Sequence, residues 1–243
     1  MNETIRKLET LMNEAKRICF FTGAGMSTES GIPDFRSSSG LWTKDQSFVD
    51  IVSRSYFEKH PIEFWQAFKE IFRVKLMQQY KPNQGHVFIA ELEKKGKMVH
   101  IITQNIDGLH QRAGSTNVYE IHGTIQTATC HTCKEKYHLS YINAHDVPKC
   151  EQCHTILKPD VVLFGDAINY FEEALDAAYK SDLFLVLGSS LEVTPINQIP
   201  IIIATETDIP TVIINKDRTR FDHLFDVCIH AKIGEVLQQL HID

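Results

Sequence analysis

Four stretches of this chain repeat one arrangement, a short apolar run that stops at a cluster of small and polar residues. Ile18-Cys19-Phe20-Phe21 leads into Gly23-Ala24-Gly25, and Met98 to Thr103 leads into Gln104-Asn105-Ile106-Asp107. Leu183 to Leu187 leads into Gly188-Ser189-Ser190, and Thr211 to Ile214 leads into Asn215. Runs so short and so apolar read as strands covered on both faces. Val118 to Ile121 and Val227 to Ile229 read as further short strands, and Asp160 to Gly165 is strand-like. Helical patterns lie between them. Thr4 to Lys16 places Ile5, Leu8, Leu11, Met12 and Ala15 on one side, and His86 to Lys95 is amphipathic and closed by Gly96. Phe171 to Lys180 and the set Ile233, Val236, Leu237, Leu240 complete the alternation. Strands alternating with helices imply an α/β fold built on a doubly wound parallel sheet. In such sheets ligands bind just beyond the carboxyl ends of the strands, where the polar clusters fall.

A chain of 243 residues suffices for one sizeable domain carrying an inserted smaller module. The expected architecture is a Rossmann-like domain from 1–36, 81–123 and 159–243. A helical insertion, 37–80, and a cysteine module, 124–158, would form the small domain. Within the insertion Phe48 to Tyr80 has a helical pattern broken at His60-Pro61, and Ser37 to Gly40 reads as a polar linker. The formal net charge of −6 argues against a nucleic-acid binder and suits a basic polypeptide partner. The chain contains no run of 18 apolar residues, so no membrane span is expected. The charged, amphipathic start is unlike a signal peptide, which points to a cytoplasmic protein. Six cysteines in that setting point to metal or chemistry rather than disulfides.

Glycine after the first strand allows a tight turn and lets backbone amides approach a phosphate. Ser27 and Thr28 read as caps of a short helix there. The dinucleotide fingerprint is incomplete, because its third glycine would fall at Thr28. Phosphate binding and a plain strand–helix turn both remain open on these residues alone. Gly31-Ile32-Pro33-Asp34-Phe35-Arg36 lacks apolar periodicity and reads as a loop, with an aromatic and an arginine suited to a lid over a cofactor.

Cys130-x-x-Cys133 and Cys150-x-x-Cys153 are separated by a loop that can bring two thiolate pairs to one ion. Four sulfurs leave no position for water, so the zinc is expected to be structural. His131, His138 and His154 read as surface residues, and Cys19 and Cys228 as core.

Several of these segments, in this order, resemble one family. They are Gly23 to Arg36, Thr103-Gln104-Asn105-Ile106-Asp107-Gly108-Leu109-His110, and His122-Gly123 ahead of the first cysteine pair. Lys158 to Gly165, Gly188-Ser189-Ser190-Leu191-Glu192-Val193-Thr194-Pro195 and Ile214-Asn215 continue the series. Together they resemble the sirtuins, the NAD-dependent protein-lysine deacylases, from about residue 20 to 215. The resemblance implies that Gly23, Ala24, Gly25, Ser27 and Thr28 line the phosphate and ribose site of NAD. Asp34, Phe35 and Arg36 would belong to the lid. Gln104 and Asn105 would bind ribose or order water, and Ile106 and Asp107 would take the nicotinamide carboxamide. Gly188, Ser189, Ser190 and Asn215 would hold the adenosine half. Val161 and Phe164 would form an apolar tunnel for the acyl-lysine. Strand-like backbone at Gly165 and from Leu191 to Val193 would pair with the substrate peptide. His122 would be the general base, contacting the cofactor ribose, with Asn105 as the second catalytic residue.

The resemblance thus implies an NAD-dependent deacetylase of acetylated lysine in proteins, with NAD and one structural zinc ion. Asp166 and Lys158 depart conservatively from the family pattern, and Ile196-Asn197 stands where small residues are common. Members selective for acidic acyl groups carry Tyr-x-x-Arg in the pocket helix; here Arg73 is preceded by Glu70 three positions earlier. A carboxylate there would repel succinate, so uncharged acyl groups are expected. Protein mono-ADP-ribosyl transfer at the same NAD site is the alternative enzyme reading. A zinc-ribbon module for nucleic acid is the non-enzyme one, opposed by the acidic balance.

Overall fold

The computed structural model describes residues 2–34 and 47–242. Its centre is a six-stranded sheet in the order β3-β2-β1-β7-β8-β9. The strands are β1 (Arg17–Thr22), β2 (Met98–Thr103), β3 (Val118–Glu120), β7 (Leu183–Leu187), β8 (Thr211–Ile214) and β9 (Val227–Ile229). Every pairing among them is parallel. The order reverses between β1 and β7, which opens a crevice at their carboxyl ends.

The two faces of the sheet sort the alternating side chains. Ile18, Phe20, Val99, Ile101, Leu185 and Val212 belong to one buried cluster, packed with Ile5, Leu8 and Met12 of α1 (Asn2–Glu14), Ile89 and Leu92 of α5 (Gln84–Lys94) and Val236 of α10 (Ile233–Leu237). Cys19, Phe21, Ile102, Phe184, Val186 and Ile213 belong to the opposite cluster, with Ala174 and Ala178 of α8 (Phe171–Tyr179) and Ile199 and Ile203 of α9 (Gln198–Glu206). Helix α9 has no counterpart in the sequence pattern. Its apolar Ile199-Pro200-Ile201-Ile202-Ile203 run lacks a helical period, and Pro200 is tolerated because it falls in the first turn.

A smaller antiparallel sheet, in the order β5-β4-β6, follows β3. It is made of β4 (Gly123–Thr129), β5 (Lys136–His138) and β6 (Lys158–Val161), with α7 (Leu139–Ala144) beside it. The strand-like stretch 160–165 therefore divides. Its start pairs with β4 in the small sheet. Phe164 forms only an isolated bridge to Ser53, because Gly165 turns the chain at φ +94°.

The insertion after residue 46 contributes α2 (Ser47–Ile51), α3 (Arg54–Lys59) and α4 (Pro61–Ile71). Phe64, Trp65, Phe68 and Phe72 share one core with Tyr137, Leu139, Ile142 and Leu157 of the cysteine module. Trp65 Nε1 donates to the Leu157 carbonyl at 2.8 Å, and Lys69 donates to the carbonyls of Ile142 and His145 at the end of α7.

The ligand atoms of Cys130, Cys133, Cys150 and Cys153 lie within 4.8 Å of one another. Backbone hydrogen bonds from Lys134 to Cys130 and from His154 to Cys150, each across four residues, form the two tight turns. Lys134 and His154 adopt left-handed φ of 66° and 58° to close them. A set of four thiolates at this separation fits tetrahedral zinc and leaves no open ligand position. Helix α5 meets α6 (Leu109–Ala113) through His86 and His110, whose ring centres are 4.8 Å apart. Both are fully enclosed, and burial lowers the His86 pKa to about 4. Burial and the neighbouring His86 hold His110 well below the usual histidine range.

Two outcomes follow from this packing. Zinc removal by a chelator should shift Trp65 emission, because Leu157 and its carbonyl move with the cysteine turns; unchanged emission would show that the module stands without metal. As pH falls from about 6.5 toward 4, the unfolded chain binds protons at these two histidines that the folded chain refuses. Stability should therefore drop with falling pH, by on the order of 3 kcal/mol for His86 alone. Urea midpoints measured from pH 7 to 5 test this, and a flat profile would mean that both rings are charged in the fold.

Candidate active site

The carboxyl ends of β1, β2, β7 and β8 open onto a cleft of about 1010 Å³. Its floor is set by two crossing loops. The Gly23 amide donates to Leu187 O at 3.0 Å, the Gly25 amide to Gly188 O at 2.9 Å, and the Gly188 amide to Ile214 O at 2.9 Å. A Cβ on Gly23 would lie 2.7 Å from Gly188 O, and one on Gly188 would lie 2.4 Å from the Met26 amide nitrogen. The glycines thus serve first to let one loop lie on the other. The Gly25 amide is spent on Gly188 rather than presented to a phosphate.

Residues 24–26 and 28–30 form two 3-10 turns, not the single capped helix expected. Ser27 stands at the N-cap of the second, but its side chain makes no capping bond. The Ser27 hydroxyl donates to Asp107 Oδ2 at 2.7 Å, and that of Thr28 to the Gly25 carbonyl at 2.9 Å. Glu29 also lines the cleft, but its carboxylate accepts from the Gly234 amide at 3.0 Å.

Asn105 organises the next layer. Its side-chain amide donates to Gly23 O at 2.9 Å and to Ser27 Oγ at 3.1 Å. Asp107 accepts from Ser27 and, at 2.8 Å, from the Leu109 amide. Burial raises the Asp107 pKa, while these two hydrogen bonds oppose the shift. Gln104 donates to Ser189 Oγ at 2.9 Å, which joins the β2 and β7 ends across the crevice. Ala24, Ser27, Asn105, Ile106 and Asp107 line a small, mainly apolar cavity with Ile32.

His122 stands at the end of β3, half-buried and facing the cleft. Its Nδ1 lies 3.0 Å from the Gln104 carbonyl oxygen. A carbonyl only accepts, so Nδ1 carries the proton and the neutral ring has its lone pair on Nε2. Val161, Val162, Leu163 and Phe164 continue the wall next to His122, opposite Val52 and Phe72. Phe164 is held by two backbone bonds, its amide to Val52 O and its carbonyl from the Arg54 amide, both 3.0 Å.

The cleft gathers most of the residues expected from sequence. Gly23, Ala24, Gly25, Thr28, Asp34, Gln104, Asn105, Ile106, His122, Gly188, Ser189, Ser190 and Asn215 line it, as do Val161, Phe164, Gly165 and Val193. Phe35 and Arg36 fall outside the described residues. Leu191 is buried at φ +59° and Gly165 sits at φ +94°, so neither is extended backbone. Val193 O accepts from the Asn197 amide. Arg73, in left-handed backbone at φ 48° after α4, lines the cleft, whereas Glu70 is exposed on the helix and is not part of the lining. Repulsion of acidic acyl groups by Glu70 is therefore not built into the site.

Asn83 was not singled out from sequence, yet it secures the glycine loop. Its side-chain nitrogen donates to Met26 O at 2.7 Å and to Ser30 Oγ at 3.0 Å. Its side-chain oxygen caps α5. The signal for it was available in an Asn immediately before a helical pattern.

The comparisons with known proteins agree with this site. The Sir2 family model matches residues 23–195. The chain is 52% identical over 243 residues to the NAD-dependent protein deacetylase of Chromobacterium violaceum, covering 99% of each. It is 53% identical over 236 residues to NAD-dependent protein deacetylase 2 of Geobacillus kaustophilus, covering 97% of this chain and 96% of that one. A solved structure from work on the mechanism and regulation of Sir2 enzymes superposes with a TM-score of 0.86 at 40% identity, over 98% of this chain and 96% of that one. A Sir2 structure with a deacetylated p53 peptide and 3'-O-acetyl ADP ribose gives a TM-score of 0.87 at 35% identity, over 97% and 96%. With the matched segment holding both glycine loops, the His122 wall and all four cysteines, this chain belongs to the Sir2 family, the sirtuins.

Proposed function

We propose that this sirtuin is an NAD-dependent protein-lysine deacetylase. The observation that carries the reading is the orientation of His122, whose Nδ1–H is held by Gln104 O beside an apolar wall, so that the lone pair of the neutral ring lies on Nε2. Bound NAD supplies an electrophilic ribose carbon when nicotinamide departs. Ile106 and Asp107 orient the nicotinamide amide in the small cavity, and Asn105, fixed by Gly23 and Ser27, orders water or ribose hydroxyls beside it. Gly23, Ala24, Gly25 and Thr28 line the phosphate and ribose site, and Ser27 lines the adjoining small cavity. Gly188, Ser189, Ser190 and Asn215 hold the adenosine end. Asp34, Phe35 and Arg36 close over the nicotinamide half.

Val161 and Phe164, with Leu163, Phe72 and Val52, exclude water from the acyl-lysine stem and aim its carbonyl at the ribose. His122 Nε2 takes a proton from a ribose hydroxyl, activating it toward the acyl carbon. One water is consumed, and nicotinamide, free lysine and O-acetyl-ADP-ribose would be the products. The peptide backbone lies between Gly165 and the Leu191–Val193 segment. Acetyl is favoured by the apolar wall. The Rossmann-like domain comprises 1–36, 81–122 and the chain after β6, since Gly123 and residues 158–161 pair in the small sheet. The insertions 37–80 and 124–158 act as one module around the zinc held by Cys130, Cys133, Cys150 and Cys153. A site that needs four reduced thiolates fits a cytoplasmic protein.

Mono-ADP-ribosyl transfer would use the same NAD site but would have no need for the apolar wall, so the deacetylase reading is preferred. Nicotinamide release, measured with an acetyl-lysine peptide and with its unmodified twin, separates them. Release only with the acetylated peptide, in equal amount to deacetylation, is expected. Release with either peptide would favour ADP-ribosyl transfer or NAD hydrolysis. The variant His122→Ala should retain NAD binding and lose turnover by about 10²–10⁴-fold. A variant keeping more than a few per cent of the rate, where about 1% or less is expected, would remove His122 from the mechanism.

A further inference from the structure

One buried residue holds the segment that follows the second glycine loop. Asn197 stands at the N-cap of α9, but its side chain makes no capping bond there. Its side-chain nitrogen donates instead to the Leu191 carbonyl at 2.9 Å, and its own amide donates to the Val193 carbonyl at 3.0 Å. Leu191 is thereby kept at φ +59°, a backbone state that residues other than glycine adopt only where their surroundings impose it. The Leu191 side chain lies in the core cluster on that face of the sheet, with Ile168 and Val193 packed against the same cluster. Glu192, between the two held carbonyls, is the opposite case. It is exposed and lines the cleft. Among the described residues its carboxylate, its amide and its carbonyl have no hydrogen-bond or ion-pair partner.

With the Leu191 and Val193 carbonyls spent on Asn197, the amide and carbonyl of Glu192 and the amide of Val193 are what this segment offers a ligand. An extended peptide laid here would exchange main-chain bonds with Glu192, which brings the Glu192 carboxylate within reach of the peptide's own side chains. Two other carboxylates lining the cleft are already committed. Asp166 accepts from Lys158 at 2.7 Å and from the Leu163 amide at 3.1 Å, and Glu29 accepts from the Gly234 amide. The cations that line the cleft come from other parts of the chain: Arg73 follows α4, Lys216 and Arg218 follow β8, and Lys232 precedes α10. We infer that Glu192 is a specificity-determining residue, which selects acyl-lysine peptides that carry an arginine or lysine close to the modified lysine. The inference rests on the deacetylase reading, in which the peptide lies between Gly165 and the Leu191–Val193 segment. A carboxylate with no internal partner gains the full attraction of an incoming cation, because no existing bond has to be exchanged for it. An acidic side chain at the same place on the peptide is repelled. The formal net charge of −6 adds a general attraction for basic polypeptides.

The probes are acetyl-lysine peptides, identical except for Arg or Gln at each position flanking the modified lysine. Their Kd values for the full chain are read by fluorescence anisotropy. At low salt the wild-type protein should bind the Arg peptide about three- to fivefold more tightly than its Gln twin at one flanking position at least. The preference should shrink as salt rises to about 0.5 M. Glu192→Gln should bring the twins to within about twofold of each other, and Glu192→Lys should reverse their order. No preference at any flanking position, or a preference that persists in Glu192→Gln, would overturn the inference. Because binding is read rather than turnover, the two readings fail separately. A protein that shows the Glu192-dependent preference but releases no nicotinamide would refute the deacetylase reading and leave this one standing. A protein that binds no acetylated peptide would overturn both.

Discussion

The close crossing of the two glycine loops at the centre of the sheet is the contact on which the rest of the site depends. Gly23 and Gly25 lie on Gly188 so closely that no Cβ fits at any of the three. The crossing works because β1 and β7 are parallel neighbours in register, with Thr22 beside Leu187. Both chains leave the sheet at the same height and meet where the strand order reverses. A larger residue there would prise apart the floor of the cleft. Around the floor, Asn105 ties Gly23 and Ser27 to the end of β2, and Gln104 with Ser189 joins the ends of β2 and β7, which the sheet itself does not connect by backbone bonds.

The small module stands on this platform through aromatic packing and sulfur. Its antiparallel sheet is three short strands, too little to bury a core alone. The four cysteines close it from one side and the rings of α4 from the other. The Trp65 indole spans the two insertions by bonding Leu157 O. His122 sits where the large sheet passes into the small one, between β3 and β4. Its ring is fixed by Gln104 of the large sheet, while its carbonyl accepts from Val162 of the apolar wall at 2.8 Å. A base held by both parts is one reason to have two modules around a single cleft.

Much of this architecture was legible in the residues. Short apolar runs such as Leu183–Leu187 cannot be anything but buried, and their polar endings marked the cleft. The cysteine spacing marked the metal site, because ligand geometry is a local property of two tight turns. The apolar run after Asn197 was not legible as a helix, since a surface so evenly apolar has no period. Phe164 looked like a strand residue from its neighbours, but Gly165 and the bridge to Ser53 determine its backbone. Glu70 looked like part of the acyl pocket when spacing alone was considered. The helix turns it to solvent and leaves Arg73 at the cleft.

By itself, then, the sequence determined the parallel sheet, the cleft's position at the strand ends and the four thiolates. These follow from periodicity, turn chemistry and ligand spacing, which act over a few residues. Only the tertiary structure decided what each polar group does. It assigned the Gly25 amide to a neighbouring loop and the Ser27 hydroxyl to Asp107. It gave the His122 proton to Nδ1, and it set His86 against His110. Those roles depend on partners tens of residues away in the chain, and hydrogen-bond direction is settled only when both partners are in place.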